Sequence, residues 1–94
     1  MSQTPSTRVK IVNRLGLHAR PAMAFVDLAA SFRSGVKVRR VDTPEEWVDG
    51  KSIMQMMLLA ATQGTELEIE SDGPDGQNAC EALRRLVDSG FGED

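Results

Sequence analysis

Residues Thr65-Glu-Leu-Glu-Ile-Glu-Ser71 alternate without a break. In an extended chain Leu67 and Ile69 fall on one side and Glu66, Glu68 and Glu70 on the other, which predicts a half-buried strand. Thr7–Asn13 repeats the pattern with the opposite charge: Val9 and Ile11 inward, Arg8 and Lys10 outward. Val36–Val41 begins the same way, with Val36 and Val38 inward and Lys37 and Arg39 outward. If the glutamate strand lies between the other two, its acidic row meets a basic row on each side. Each opposite-charge cross-strand pair contributes about 0.2–1 kcal/mol.

Between these strands the period changes from two to 3.6. Ala19 to Phe32 reads as a helix, with Ala22, Phe25, Val26, Ala29 and Phe32 as the apolar stripe. Pro21 sits in its first turn, where a missing N–H does no harm, and Gly35 is the expected C-cap. Asp42-Thr-Pro-Glu45 reads as a turn, followed by a short return strand Glu46–Asp49. A second helix runs from Ser52 to about Ala61, stopped near Gly64. A third runs from Gln77 to Ser89, with Ala79, Ala82, Leu83, Leu86 and Val87 inward. The order is β-α-β-β-α-β-α. It predicts an α+β open-faced sandwich: a four-stranded, mainly antiparallel sheet with three helices on one face.

The chain has 94 residues and carries a net charge of −3. This is the size of a single domain spanning 1–94, with an ordered core over about 7–90 and short polar tails, Met1–Ser6 and Gly90–Asp94. Residues 1–41 carry +7 and residues 42–94 carry −10. A basic half suits nucleic acid, but the glutamate row offers it an internal partner. Tyr is absent and aromatics are 4%, so base-stacking platforms are lacking. The longest uncharged stretch, Ser52 to Thr65, is too short to span a bilayer. No secretory core opens the chain and Cys80 is the only cysteine, both of which predict a cytoplasmic protein without disulfides.

His18 is the only histidine. It follows a glycine loop and starts a helix, where unpaired N–H groups favour an anion and disfavour an imidazolium. A neutral imidazole has a free lone pair and can act as a nucleophile. Arg20 supplies a permanently charged fork suited to phosphate. A lone histidine is also a common structural residue. One His and one Cys cannot build a typical zinc site, and neither a phosphate-loop nor a dinucleotide motif is present. No metal or cofactor is therefore expected.

Leu15-Gly-Leu-His-Ala-Arg-Pro-Ala22 and Gly50-Lys-Ser-Ile-Met-Gln-Met-Met57 resemble the two signatures of the HPr family. These are the histidine-containing phosphocarriers of the bacterial phosphoenolpyruvate:sugar phosphotransferase system. The resemblance covers about residues 7–91. It implies that His18 takes a phosphoryl group from phosphorylated Enzyme I on Nδ1 and passes it to an Enzyme IIA-type acceptor. Arg20 would stabilise the phosphate, with Gly16 and Pro21 shaping the site. The protein would be a monomeric carrier rather than an enzyme, with no nucleic-acid partner and no membrane insertion. A regulatory carrier without sugar import is the alternative within the family. The resemblance also places the last strand between the first and second. The sequence departs from common members at Asp42–Asp49, a longer hairpin that carries Trp47.

Ser52 opens the second helix with Gln55 three residues on, a capping box. Capping alone would explain the serine. The resemblance adds that the matching serine is phosphorylated in many members by an HPr kinase/phosphorylase. Of the apolar residues that follow, Met56 and Leu59 are expected inward and Ile53, Met54 and Met57 outward. The resemblance implies that partners dock on the outward set together with Met23. Cys80 is expected to be a small buried hydrophobe.

Overall fold

The structure, a computed structural model, describes residues 4–93. Residues 1–3 and 94 of the two tails lie outside the described residues. Four strands, β1 (Ser6–Lys10), β2 (Gly35–Arg40), β3 (Val48–Asp49) and β4 (Glu66–Asp72), alternate with α1 (Ala19–Ala30), α2 (Ile53–Leu58) and α3 (Gly76–Asp88). A 3₁₀ turn follows at Gly90–Gly92. The sheet order is β1-β4-β2-β3 and every pairing is antiparallel. The strand made last in the chain thus lies between the first and second.

The period-2 residues divide the sheet as their chemistry requires. Val9, Val36, Val38, Leu67 and Ile69 are buried on one face. There they meet Phe25 of α1, Met56 of α2 and Leu83 and Val87 of α3. The other face carries the charges. Arg8 lies opposite Glu68 and Lys10 opposite Glu66 on one side of β4; Lys37 lies opposite Glu70 and Arg39 opposite Glu68 on the other. The tightest rung is Arg39–Glu68, where Nε and Nη2 both donate to one carboxylate oxygen. Arg39 also donates from Nη1 to the Pro44 carbonyl at 2.8 Å and lies over the Trp47 ring, 4.3 Å from its centroid. The longer hairpin is therefore folded back onto the outer face of β2 by one guanidinium.

Several boundaries differ from the periodicity. Helix α1 ends at Ala30, not Phe32, because the N–H groups of Ser31 and Phe32 tighten to the carbonyls of Leu28 and Ala29. Gly35 is not its C-cap but the first residue of β2. The intervening turn is held from outside: Asp75 accepts hydrogen bonds from the N–H groups of Arg33 and Ser34 at 2.9 Å and from the Ser34 hydroxyl. Strand β3 has only two residues, because Glu46 turns back to bond the Thr43 carbonyl. Helix α2 stops at Leu58, well before Ala61. Ala60 adopts φ 49°, and Arg40 Nη1 donates to the carbonyls of Leu59 and Ala60 at 3.0 and 3.2 Å. The chain must turn there so that the Ala61 carbonyl can accept the Leu17 N–H at 2.8 Å. Strand β1 ends at Lys10, although Ile11 still bonds Thr65 and Gly64 through its backbone. No described helix is long and apolar enough to cross a membrane.

Candidate functional site

The loop from Ile11 to His18 is rigid for local reasons. Asn13, 1% exposed, donates from Nδ2 to the Gly16 carbonyl at 2.7 Å, and the Gly16 N–H returns to the Asn13 carbonyl at 3.1 Å. Gly16 adopts φ +70°, and a Cβ there would meet the Ala61 carbonyl oxygen at 2.6 Å. Only glycine satisfies both the backbone angle and this approach. Buried Leu17 and its bond to Ala61 then deliver His18 to the start of α1.

His18 is the N-cap residue of α1, with extended backbone and no side-chain cap bond. Its carbonyl accepts the Ala22 N–H at 3.0 Å. The N–H groups of Ala19 and Arg20 have no acceptor within the helix, and buried Pro21 has none to satisfy. The imidazole is 37% exposed. Its Nε2 lies 2.8 Å from Glu93 Oε1, while Nδ1 has no hydrogen-bond partner among the described residues. Glu93 Oε1 also accepts from Asn13 Nδ2 at 3.0 Å. The hydrogen bond to His18 holds the Glu93 carboxyl below the usual carboxylate range. Asn13 and the charge of Arg20 add to that, against partial desolvation. Arg14, Leu15, His18, Arg20 and Glu93 line a shallow concavity of about 220 Å³. Arg20 is exposed there and forms no ion pair among the described residues. The arrangement is a half-exposed imidazole with one nitrogen engaged and one open, beside a helix N-terminus and two guanidinium groups.

The C-terminal segment corrects the sequence reading. Gly90–Asp94 is expected to be a polar tail. Instead Gly90 is buried, Phe91 packs against the core, and the 3₁₀ turn carries Glu93 to the histidine. Asn13 and Glu93 are thus site residues that the sequence reading missed. Asn13 occupies an inward position of the β1 alternation, where a polar side chain is a signal of its own. Glu93 has no comparable signal.

At α2 the Gln55 N–H donates to Ser52 Oγ at 3.3 Å, so Ser52 caps the helix. The reciprocal half of the capping box is absent: Gln55 Oε1 accepts from the Asp49 N–H at 2.8 Å and ties α2 to the hairpin instead. Met56 and Leu59 are buried, as their spacing predicts. Met54 and Met57 are exposed, as is Met23 on α1. Ile53 is a correction, since it is half-buried and packs against the core. Leu58, 76% exposed, and Leu15, 67% exposed, take its place among the outward apolar residues. Helices α1 and α2 pack on each other, so the outward methionines belong to neighbouring elements. Cys80 is buried, with its sulfur 3.4 Å from Ser71 Oγ.

Comparison with known proteins is consistent in length and content. Residues 5–89 match the family model described as PTS HPr component phosphorylation site. The phosphocarrier protein HPr of Neisseria meningitidis is 46% identical over 85 residues, 90% of this chain and 92% of the relative. The phosphocarrier protein NPr of Proteus mirabilis is 43% identical over 91 residues, covering 97% and 99%. The crystal structure of HPr-C-His from Thermoanaerobacter tengcongensis superposes with a TM-score of 0.88 at 38% identity, covering 96% of this chain and 98% of that one.

Proposed function

Since the chain belongs to the PTS HPr family, whose members are phosphocarriers and not enzymes, we propose that His18 is the residue that carries the phosphoryl group. The supporting observation is the His18 imidazole itself: Nε2 is engaged by Glu93 and Nδ1 is open, at the unpaired N-terminus of α1. The Nδ1 lone pair attacks phosphorus. The phosphate oxygens gain the Ala19 and Arg20 N–H groups and the Arg20 guanidinium as donors. The two N–H groups are fixed by the helix before the phosphate arrives, so they reorganise little on transfer, and the exposed Arg20 side chain closes on the phosphate from solvent. The donor is phosphorylated Enzyme I and the acceptor an Enzyme IIA-type protein. Both dock on the exposed apolar residues of α1 and α2, Met23, Met54 and Met57. The location is cytoplasmic, and the chain acts as a single monomeric domain.

Ser52 is the proposed regulatory phosphorylation site, addressed by an HPr kinase/phosphorylase. Its hydroxyl sits at the head of α2, beside exposed Met54 and Met57. A phosphate there is compatible with the helix N-terminus but places about −1.5 to −2 charge next to the docking residues.

A second reading, a regulatory carrier without sugar import, rests on the NPr relative, which matches at 43% identity beside HPr relatives at 43–46%. Phosphate exchange with candidate acceptors separates the two.

The test is incubation with phosphoenolpyruvate and Enzyme I, followed by intact mass measurement. One acid-labile phosphate is expected on the wild type and none on His18→Ala. Arg20→Ala should accept phosphate more slowly with the fold unchanged. Equal phosphate on His18→Ala overturns the assignment.

A further inference from the structure

The carboxylate opposite His18 comes from the far end of the chain and is held there by a second residue. Glu93 Oε1 lies 2.8 Å from His18 Nε2 and 3.0 Å from Asn13 Nδ2. Asn13 is almost fully buried, and the same Nδ2 anchors the Gly16 carbonyl. The amide that shapes the loop before His18 therefore also fixes the carboxylate that faces it. Gly90 is buried and Phe91 packs against the core, so the segment delivering Glu93 is itself anchored.

An ionised carboxylate is only an acceptor. Facing one at hydrogen-bond distance, Nε2 must be the protonated nitrogen, and the neutral ring then has its lone pair on Nδ1. We propose that Glu93 is a positioning residue for phosphoryl transfer: it holds His18 in the Nε2–H tautomer, orients the ring, and stabilises the charge the ring gains when Nδ1 takes the phosphoryl group. This rests on the reading of His18 as the phosphoryl acceptor. In the step, the Nδ1 lone pair forms the N–P bond. The donor's bond to phosphorus breaks, and its electron pair stays on the donor. The Nε2 proton remains on the ring, which becomes formally cationic beside the Glu93 carboxylate. A carboxylate that orients a histidine in this way is a recurring device in nucleophilic and metal sites.

Two measurements test it. The first uses unphosphorylated protein with ¹⁵N-labelled imidazole. With the ring in its neutral form, wild type should show one protonated nitrogen, Nε2, and one bare nitrogen, Nδ1. Glu93→Ala should show both tautomers in exchange. Glu93→Gln retains an acceptor oxygen without the charge and should keep the wild-type tautomer. The second measures transfer from phosphorylated Enzyme I against carrier concentration. Glu93→Ala should lower the maximal rate about tenfold with half-saturation unchanged, and Glu93→Gln should fall between it and wild type. Unchanged circular dichroism and melting temperature confirm that both variants are folded. A Glu93→Ala spectrum identical to wild type overturns the proposal, as does a raised half-saturation with the maximal rate intact, which marks a docking contact. If wild type takes no phosphate on His18, the reading of His18 fails, while the nitrogen spectra still decide whether Glu93 sets the tautomer.

Discussion

Replacing Glu68 with lysine turns the best-connected rung of the outer sheet face into a repulsive one. Glu68 lies in register with Arg8 on β1 and Arg39 on β2, and Arg39 forks its carboxylate. The two side chains of that pair keep 27% and 18% exposure, so solvent screens the interaction only in part. Loss of the charge-assisted contacts is worth about 1–2 kcal/mol at such a site. Two repulsive neighbours add about 0.2–1 kcal/mol each. The expected loss is about 1.5–4 kcal/mol, which lowers the urea midpoint by about 1–3 M at the slope usual for a small protein. Trp47 is the only tryptophan and lies over Arg39, so its emission follows the rung, while circular dichroism follows the whole fold. Glu66→Lys is the control. It faces Lys10 on one side and no basic strand partner on the other, so about 0.2–1 kcal/mol is expected. Arg39→Glu in the Glu68→Lys background should recover about half the loss, because the Trp47 and Pro44 contacts of Arg39 go with it. Lys10→Glu should recover little, since Lys10 sits opposite Glu66. Equal destabilisation by Glu66→Lys and Glu68→Lys, or further loss on adding Arg39→Glu, would refute the ladder.

Asp75 is held down to about 2 by the Ser34 hydroxyl and the Arg33 and Ser34 N–H groups. A depressed carboxyl stabilises fully above its unfolded value near 4 and progressively less as pH falls toward 2. The stability gap between wild type and Asp75→Asn, read by urea titration, should therefore be constant above about pH 5 and narrow between about pH 4 and 2. Gly16→Ala should cost about 2–3 kcal/mol, from the left-handed backbone and the contact with the Ala61 carbonyl; a melting temperature within error of wild type contradicts that. Ser52→Asp should change stability by less than about 1 kcal/mol yet raise the half-saturation of transfer, whereas Ser52→Ala should lose a similar small amount and transfer normally.

The alternations of β1, β2 and β4 are visible in the sequence because a two-sided sheet demands them, and the signs of their charges even order the strands. His18 and Arg20 stand out because a helix start, a glycine and a proline crowd around them. Elements defined by long-range contacts were less visible. The end of α2 is set by Arg40, nineteen residues away, and by the need to present the Ala61 carbonyl to Leu17. The turn after α1 is held by Asp75, forty-one residues on from Ser34. Gly35 reads as a cap because nothing local announces the Asp75 side chain, which arrives from the residue just before α3. Glu93 lies 75 residues from His18 in a segment too short for any period.

The central position of β4 has a consequence for the order in which the protein is born. A chain emerging from the ribosome releases β1 and β2 first, yet both pair with β4. Between Lys10 and Asp72 about 60 residues must still be made, roughly 3–12 s at usual synthesis speeds. Throughout that interval only α1, α2 and the two-rung β2–β3 hairpin can form locally. The inner edges of β1 and β2 remain open, with their valines uncovered and the +7 of residues 1–41 opposed only by the −3 of residues 42–65. Any nascent-chain factor that shields this protein has to act in that window, and truncation before Glu66 leaves a basic fragment with no sheet to complete.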